Sequence, residues 1–406
     1  MLRVFAIRTI AFLALGTLLS SCAPPPAPEQ PGGAEKPYTF GLLMVGPYND
    51  HGWSQAQFEA GRYVEQKSPG TRMLYLDKVN PADRPGTTAA QLAESLLARG
   101  ARMIIFNSDD MEDGAIEFCR THPDVPVIHV SGDSAWKEGR DPKGLPNLVN
   151  VMGRIEYSKM MAGLVAALTT RTGKIAYLGP LINDETRRLV AAAYLGARYG
   201  WTEYLKKDPA TLSFKVTWIG FWFNLPGVTA DPTQVAGQFY GEGYDVVISG
   251  LDSPEALTEA RKFHQAGKWA RAVQYASETG CRECPEVCLG TMYFNWGPYF
   301  KAKIEQARAG HWQPAFDWVG PDWNDINNPD TSMIGFKPGP ALAAETAPQL
   351  ERFIRELGGG LNLWTGPLDY QDGTPFLPPG MPATDQQVWY LPQLVKGIQG
   401  QSVAGK

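Results

Sequence analysis

Gly46-Pro-Tyr-Asn-Asp-His-Gly-Trp53 is the stretch on which the reading of this chain turns. An apolar run, Phe40–Val45, precedes it and reads as a strand, and a helical pattern begins near Ser54. In an open α/β sheet, ligands sit beyond the carboxyl ends of the strands. The loop brings Asn49, Asp50, His51 and Trp53 to such an end. A flat aromatic face beside an amide, a carboxylate and an imidazole suits a planar polar molecule. Asn49, Asp50 and Gly52 equally suit a plain turn, and Ser54 suits a helix cap. The loop taken alone leaves both readings open.

Outward from it, the same strand–loop–helix pattern recurs. Further strands are expected near residues 72–77, 102–106, 125–130, 174–178, 214–218, 245–249 and 272–275. Helices are expected near 54–67, 87–99, 111–121, 157–170, 184–204, 232–241, 254–265 and 298–309, with one more near 346–357. Alternation at this spacing means βαβ units and parallel sheets. There are too many elements for one sheet, so the fold class is α/β with two doubly wound parallel-sheet lobes. Turn-rich Pro142–Pro146 followed by β-prone Asn147–Met152 suits one crossing between lobes. Leu289–Phe294, with Asn295-Trp-Gly-Pro298 after it, suits another. The expected division is 38–150 with 291–330 as lobe 1, and 151–290 with 331–406 as lobe 2.

The amino end carries different information. Arg3 and Arg8 flank a short charged start, and Ile10–Leu19 is apolar and uncharged. That run is too short to span a bilayer and fits a signal-peptide core. It closes on Leu19-Ser-Ser-Cys22, which resembles a bacterial lipobox, so residues 1–22 are expected to end at a lipidated Cys22. Residues 23–37 hold six prolines plus Gly32 and Gly33 and read as a semi-extended tether. The folded part is therefore expected from about Tyr38, exported and anchored to a bacterial membrane by acyl chains.

Composition narrows the partners. A net charge of −5 without basic runs argues against nucleic acid. Four further cysteines, Cys119, Cys281, Cys284 and Cys288, favour a disulfide within the cluster outside the cytoplasm. A metal site and free thiols remain the alternatives, and the pairing is open. There is no Gly-x-Ser-x-Gly elbow, P-loop or His-Glu-x-x-His, so no catalytic residue, cofactor or metal is assigned.

Five strand ends carry candidate binding groups: the opening loop, Asn107–Asp110, Gly220–Asn224, Gly250–Ser253, and Ser277 with Glu278. Asp109 or Asp110 suits a helix cap, and Ser253-Pro-Glu255 is a good helix start. Phe221-Trp222-Phe223 is different. Three consecutive large aromatics in a loop do not all face one core, so at least one is expected to point into a cleft. Trp53 on one lobe facing Trp222 or Phe221 on the other makes an aromatic clamp, in which stacking is worth ~1–3 kcal/mol per base.

These residues resemble the basic membrane protein family, the substrate-binding lipoproteins of bacterial ABC importers, several of which bind purine nucleosides. The resemblance spans about residues 38–400. It is carried by Val45-Gly-Pro-Tyr-Asn-Asp-His-Gly-Trp53, Asn150-Val-Met-Gly-Arg-Ile-Glu-Tyr157, Trp218-Ile-Gly-Phe-Trp-Phe-Asn224 and Asp252-Ser-Pro-Glu-Ala256. Asn295-Trp-Gly-Pro-Tyr299 and Gly366-Pro-Leu-Asp-Tyr-Gln-Asp-Gly373 continue it. It implies a type I periplasmic-binding-protein fold with a hinge crossed by three segments. It implies ligand-binding roles for Asn49, Asp50, Trp53, Ser108, Phe221, Trp222, Asp252 and Glu278. The expected function is capture of a purine nucleoside or nucleobase by a monomeric receptor and its delivery to an ABC permease and ATPase. Asn224 and Glu278 stand where relatives commonly carry Asp, and the longer Glu278 is expected to favour a free base over a nucleoside. The alternatives are a sensor for a membrane signalling partner, a sugar receptor, and an exported nucleoside or sugar hydrolase.

Overall fold

The computed structural model describes residues 36–403. The expected signal peptide, Cys22 and the expected tether up to residue 35 lie outside the described residues. In chain order the first elements are β1 (Tyr38–Leu43), α1 (Trp53–Lys67), β2 (Thr71–Leu76), α2 (Ala89–Ala98), β3 (Ile104–Phe106), α3 (Glu112–Thr121), β4 (Val127–Val130) and β5 (Leu148–Gly153). Next come α4 (Glu156–Thr169), β6 (Lys174–Gly179), α5 (Asp184–Tyr199), β7 (Ser213–Trp218), α6 (Pro232–Gly241), β8 (Val246–Ser249), α7 (Glu255–Gln265), β9 (Arg271–Ala276) and β10 (Cys288–Phe294). The chain closes with α8 (Gly297–Arg308), β11 (Ala315–Val319), β12 (Ile334–Pro338), α9 (Ala347–Gly358), β13 (Leu368–Asp369), β14 (Pro375–Leu377), α10 (Asp385–Trp389) and β15 (Ile398–Gln399).

Two sheets result, in the orders β11-β5-β4-β3-β1-β2 and β12-β10-β9-β8-β6-β7-β15. The first is wholly parallel. The second is parallel except where β12 runs against β10. Helices cover both faces of such sheets, so inner strands are apolar throughout rather than alternating. Ile104-Ile-Phe106, Val127–Val130 and Val246–Ser249 are fully buried for that reason. The long helical pattern after Asp184 ends as an α-helix at Tyr199 and continues as one π-helical turn, Gly200–Tyr204.

The chain passes between the sheets three times, after β5, after β10 and after β11. The second crossing falls after Phe294, because Cys288–Phe294 is one continuous strand paired with β9. The boundary expected at residue 291 therefore moves to the Asn295-Trp296 step. The third crossing follows β11, a strand the irregular sequence beyond Trp312 did not announce. It is pinned by Arg154, whose backbone N–H donates to the Val319 carbonyl at 2.7 Å.

Cys281 and Cys288 form a disulfide, while Cys119 and Cys284 are buried free thiols. No group of residues suited to a metal ion occurs among the described residues. No described helix is long and apolar enough to cross a membrane.

Candidate functional site

In each sheet the strand order reverses at one point, between β1 and β3 in the first and between β6 and β8 in the second. Loops at such switch points part and leave a crevice. The two crevices face each other and form one cleft of about 510 Å³, its open mouth included. Val45, Trp53, Ser108, Asp109, Asp110 and Ser131 line it from the first lobe, and Glu185, Phe221, Trp222, Phe223, Asp252 and Tyr275 from the second. Each follows a strand end or sits on one. Ser131 and Ala276, at the ends of β4 and β9, both hold positive φ, at 68° and 75°. Side chains other than glycine reach that region at a cost, and such positions concentrate at functional loops.

Trp53 opens α1 and is held rigidly. Its indole N–H donates to the Asn107 carbonyl at 2.7 Å. Its ring meets Phe294 and Trp296 edge-on at 5.3 and 5.4 Å. Opposite, the loop after β7 returns on itself through Ala230 N–H to the Ile219 carbonyl at 2.9 Å. All three aromatics of Phe221-Trp222-Phe223 reach the cleft. Phe221 and Phe223 brace each other at 5.0 Å, near perpendicular.

The opening loop divides its residues between the two roles left open by the sequence. Asp50 is absorbed by the turn: its carboxylate accepts N–H donors from Gly52, Ser54 and Gln55 at 2.9–3.0 Å. Asn49 and His51 are exposed and outside the cleft lining. Of the polar residues expected to meet ligand, Ser108 and Asp252 line the cleft, and Asn49, Asp50 and Glu278 do not. Glu278 is exposed and paired with Lys337 at 2.5 Å. At that position the length of Glu278 does not favour a free base over a nucleoside.

Ser108 caps the turn after β3, its hydroxyl accepting from Asp110 N–H at 3.3 Å. This leaves the carboxylates of Asp109 and Asp110 without a capping duty. The Ser108 carbonyl is held from behind by His129 Nε2 at 2.9 Å. The His129 Nδ1 in turn meets Asn150 Nδ2 at 3.1 Å. Burial pushes the His129 pKa down to about 4, so the ring is neutral. A neutral ring donates from Nε2 and accepts at Nδ1, which is the tautomer these two contacts require.

Sequence reasoning missed Glu185, Ser131, Tyr275 and Lys159, and treated Asp109 as a cap. Glu185 sits in the first turn of α5, where an acid is expected for the helix dipole, so nothing marked it. Lys159 stands among apolar residues in α4 and is wholly buried. Its ammonium lies 3.5 Å from the Tyr275 ring centre and donates to the Ser249 carbonyl at 3.2 Å. α4 and α5 pack backbone to backbone because Gly163 and Gly196 leave no room for a Cβ. That contact sets Glu185 in the cleft lining and Lys159 buried against Tyr275.

The carboxyl groups here are held well above their ordinary range. Burial raises Asp252, with repulsion from Asp50 added and Lys159 opposing. Burial first, then Asp110 and Asp133, push Asp109 up to about 6. Burial pushes Glu185 up to about 7; Arg188 opposes it, while Asp109 and Glu156 add to it. Arg188 is occupied by a buried pair with Glu156 at 2.7 Å. Glu185 thus costs nothing below pH 4.5, where it is protonated folded and unfolded. Its cost grows as pH rises toward 7, because the unfolded chain gives up the proton first. Glu185→Gln is expected to stabilise the unliganded protein by about 1–3 kcal/mol at pH 8 and to change nothing at pH 4. Chemical denaturation at both pH values checks this, and a variant no more stable at pH 8 contradicts it.

A two-lobed α/β molecule with a cleft at facing switch points and three interlobe crossings has the type I periplasmic-binding-protein fold. More narrowly, residues 38–313 match the family described as ABC transporter substrate-binding protein, PnrA-like (Bmp), and the chain belongs to that family. A purine-binding protein of Brucella abortus is 25% identical over 366 residues, covering 90% of this chain and 94% of that one. A Haloferax volcanii protein named for ABC transporter glucose binding is 24% identical over 279 residues, 68% of this chain and 63% of that one. A solute-binding protein from Conexibacter woesei superposes with a TM-score of 0.58 at 16% identity, covering 79% of this chain and 96% of that one. One from Aeropyrum pernix gives 0.59 at 12%, covering 82% and 93%. The family is one of solute-binding proteins rather than enzymes, and it serves ABC transporters from outside the cytoplasm.

Proposed function

We propose that this protein captures a purine, as base or nucleoside, between Trp53 and Phe221-Trp222-Phe223 and delivers it to an ABC permease. The observation that carries this reading is the pair of aromatic walls, one on each lobe, at the facing switch points. An aromatic face binds any flat ring, and the acids at the same strand ends supply selectivity. The purine-binding relative from Brucella supports the choice of ring. Ligand stabilises the closed arrangement by touching both lobes at once, which is the differential affinity that hinge closure requires. The lipid anchor at Cys22 belongs to this reading, because it keeps the receptor beside its permease.

Titration calorimetry with adenine, guanine, adenosine and guanosine tests it. At least one is expected to bind in the micromolar range or tighter, and no binding by any of them rejects the reading. The glucose-named relative favours a second reading, a sugar ring in the same clamp. Glucose binding with purines inert would establish that one instead.

A further inference from the structure

The cleft has an uneven chemical lining. Asp109, Asp110, Glu185 and Asp252 face it, and no lysine, arginine or histidine does. Among the described residues, the carboxyl groups of Asp109, Glu185 and Asp252 make no hydrogen bond or ion pair with protein. One oxygen of Asp252 is sealed from solvent without a partner. The nearby cations are committed elsewhere: Arg187 and Arg188 line an adjoining hollow that shares Asp109, Ser131 and Glu185 with the cleft, and Arg187 is paired with Asp184. Lys159 is wholly buried and committed to Ser249 and the Tyr275 ring. Arg188 is 2% exposed and committed to Glu156 and the Trp389 carbonyl. The acids do not stand alone, because they are set between aromatic walls whose faces are themselves electron-rich.

We propose that the cleft reads its ligand through hydrogen-bond donors: it takes purine rings bearing an exocyclic amine and rejects their oxo and phosphorylated counterparts. This rests on the purine reading above. At pH 7.5, above the values of about 6 and about 7 to which Asp109 and Glu185 are raised, the ionised form of both prevails, and an ionised carboxylate only accepts hydrogen bonds. An exocyclic amine offers two N–H donors to it. An oxo group offers lone pairs, so acceptor meets acceptor and the carboxylate is left unpaired in an enclosed site. A phosphate adds like charge, and the nearest guanidiniums, Arg187 and Arg188, are already paired with Asp184 and Glu156. Asp109 comes from the first lobe and Glu185 and Asp252 from the second. A donor-rich ring therefore also ties the lobes together.

Matched pairs test the proposal by calorimetry on the intact protein at pH 7.5. Adenine is expected to bind at least tenfold more tightly than hypoxanthine, guanine than xanthine, and adenosine than AMP. Glu185→Gln, or Asp109→Asn should the first fold poorly, offers an amide N–H to an oxo group. Either is expected to narrow the adenine-to-hypoxanthine ratio at least threefold, which mere structural support would not do. Equal binding within the base pairs overturns the proposal and leaves the purine reading standing. Adenosine equal to inosine, with free bases inert, also overturns it, since the acids would then read the ribose diol. AMP binding as tightly as adenosine overturns it as well. No purine binding at all overturns both readings.

Discussion

Gly52→Ala is expected to weaken ligand binding by about tenfold to a hundredfold while leaving the unliganded protein as stable as before. Gly52 precedes α1 in the first lobe, and Asp252 follows β8 in the second. A Cβ on Gly52 would lie 2.8 Å from the Asp252 carbonyl oxygen and 3.0 Å from its Cβ. The atom struck is backbone, so it does not swing aside as a flexible side chain would. Overpacking of this kind costs about 1–3 kcal/mol, and each 1.4 kcal/mol is tenfold in affinity. The lobes relieve the clash by staying apart, so the cost falls on the closed state alone. Helix capping changes little, because the Asp50 carboxylate still accepts from Ser54 and Gln55 N–H. Calorimetry for affinity and thermal unfolding without ligand separate the two effects. Wild-type affinity in the variant would show that the Gly52–Asp252 contact is not part of closure.

Trp222→Ala is expected to weaken binding at least tenfold with little change in melting temperature. Trp53→Ala should lose as much affinity and stability besides. The difference follows from what each ring touches. Trp53 leans on Phe294 and Trp296 and holds the Asn107 carbonyl, so it ties the first lobe to the crossing after β10 as well as facing the cleft. Trp222 is half-buried, and among the described residues no aromatic ring or hydrogen-bond acceptor holds its indole. Its exposed face is free for stacking, worth ~1–3 kcal/mol per base. Unchanged affinity in Trp222→Ala would remove the second jaw of the clamp.

Much of the fold was legible because parallel α/β proteins write it locally. Apolar runs such as Val127–Val130, turn residues and amphipathic helices recur in alternation, and each predicted strand found its counterpart within a few residues. Strand ends line the cleft, which is why Trp53, Ser108, Phe221, Trp222 and Asp252 could be placed at it from the sequence. Asn49, Asp50 and Glu278 sit at strand ends outside the cleft lining; Asp50 is taken up by backbone N–H groups and Glu278 by Lys337. Glu185 and Lys159 failed in the other direction. Each lies on a helix where its residue type had an ordinary explanation or none.

By itself, then, the sequence determined the two-sheet architecture, the family, and the place of Trp53 at the cleft, since those depend on periodicity and on residues close along the chain. Only the tertiary structure decided which acids remain unpaired in the cleft. That outcome depends on neighbours more than a hundred residues apart, such as Lys159 beneath Tyr275 or Gly52 against Asp252. A carboxylate's role is set by the donors that reach it first, and competition for donors is settled in three dimensions.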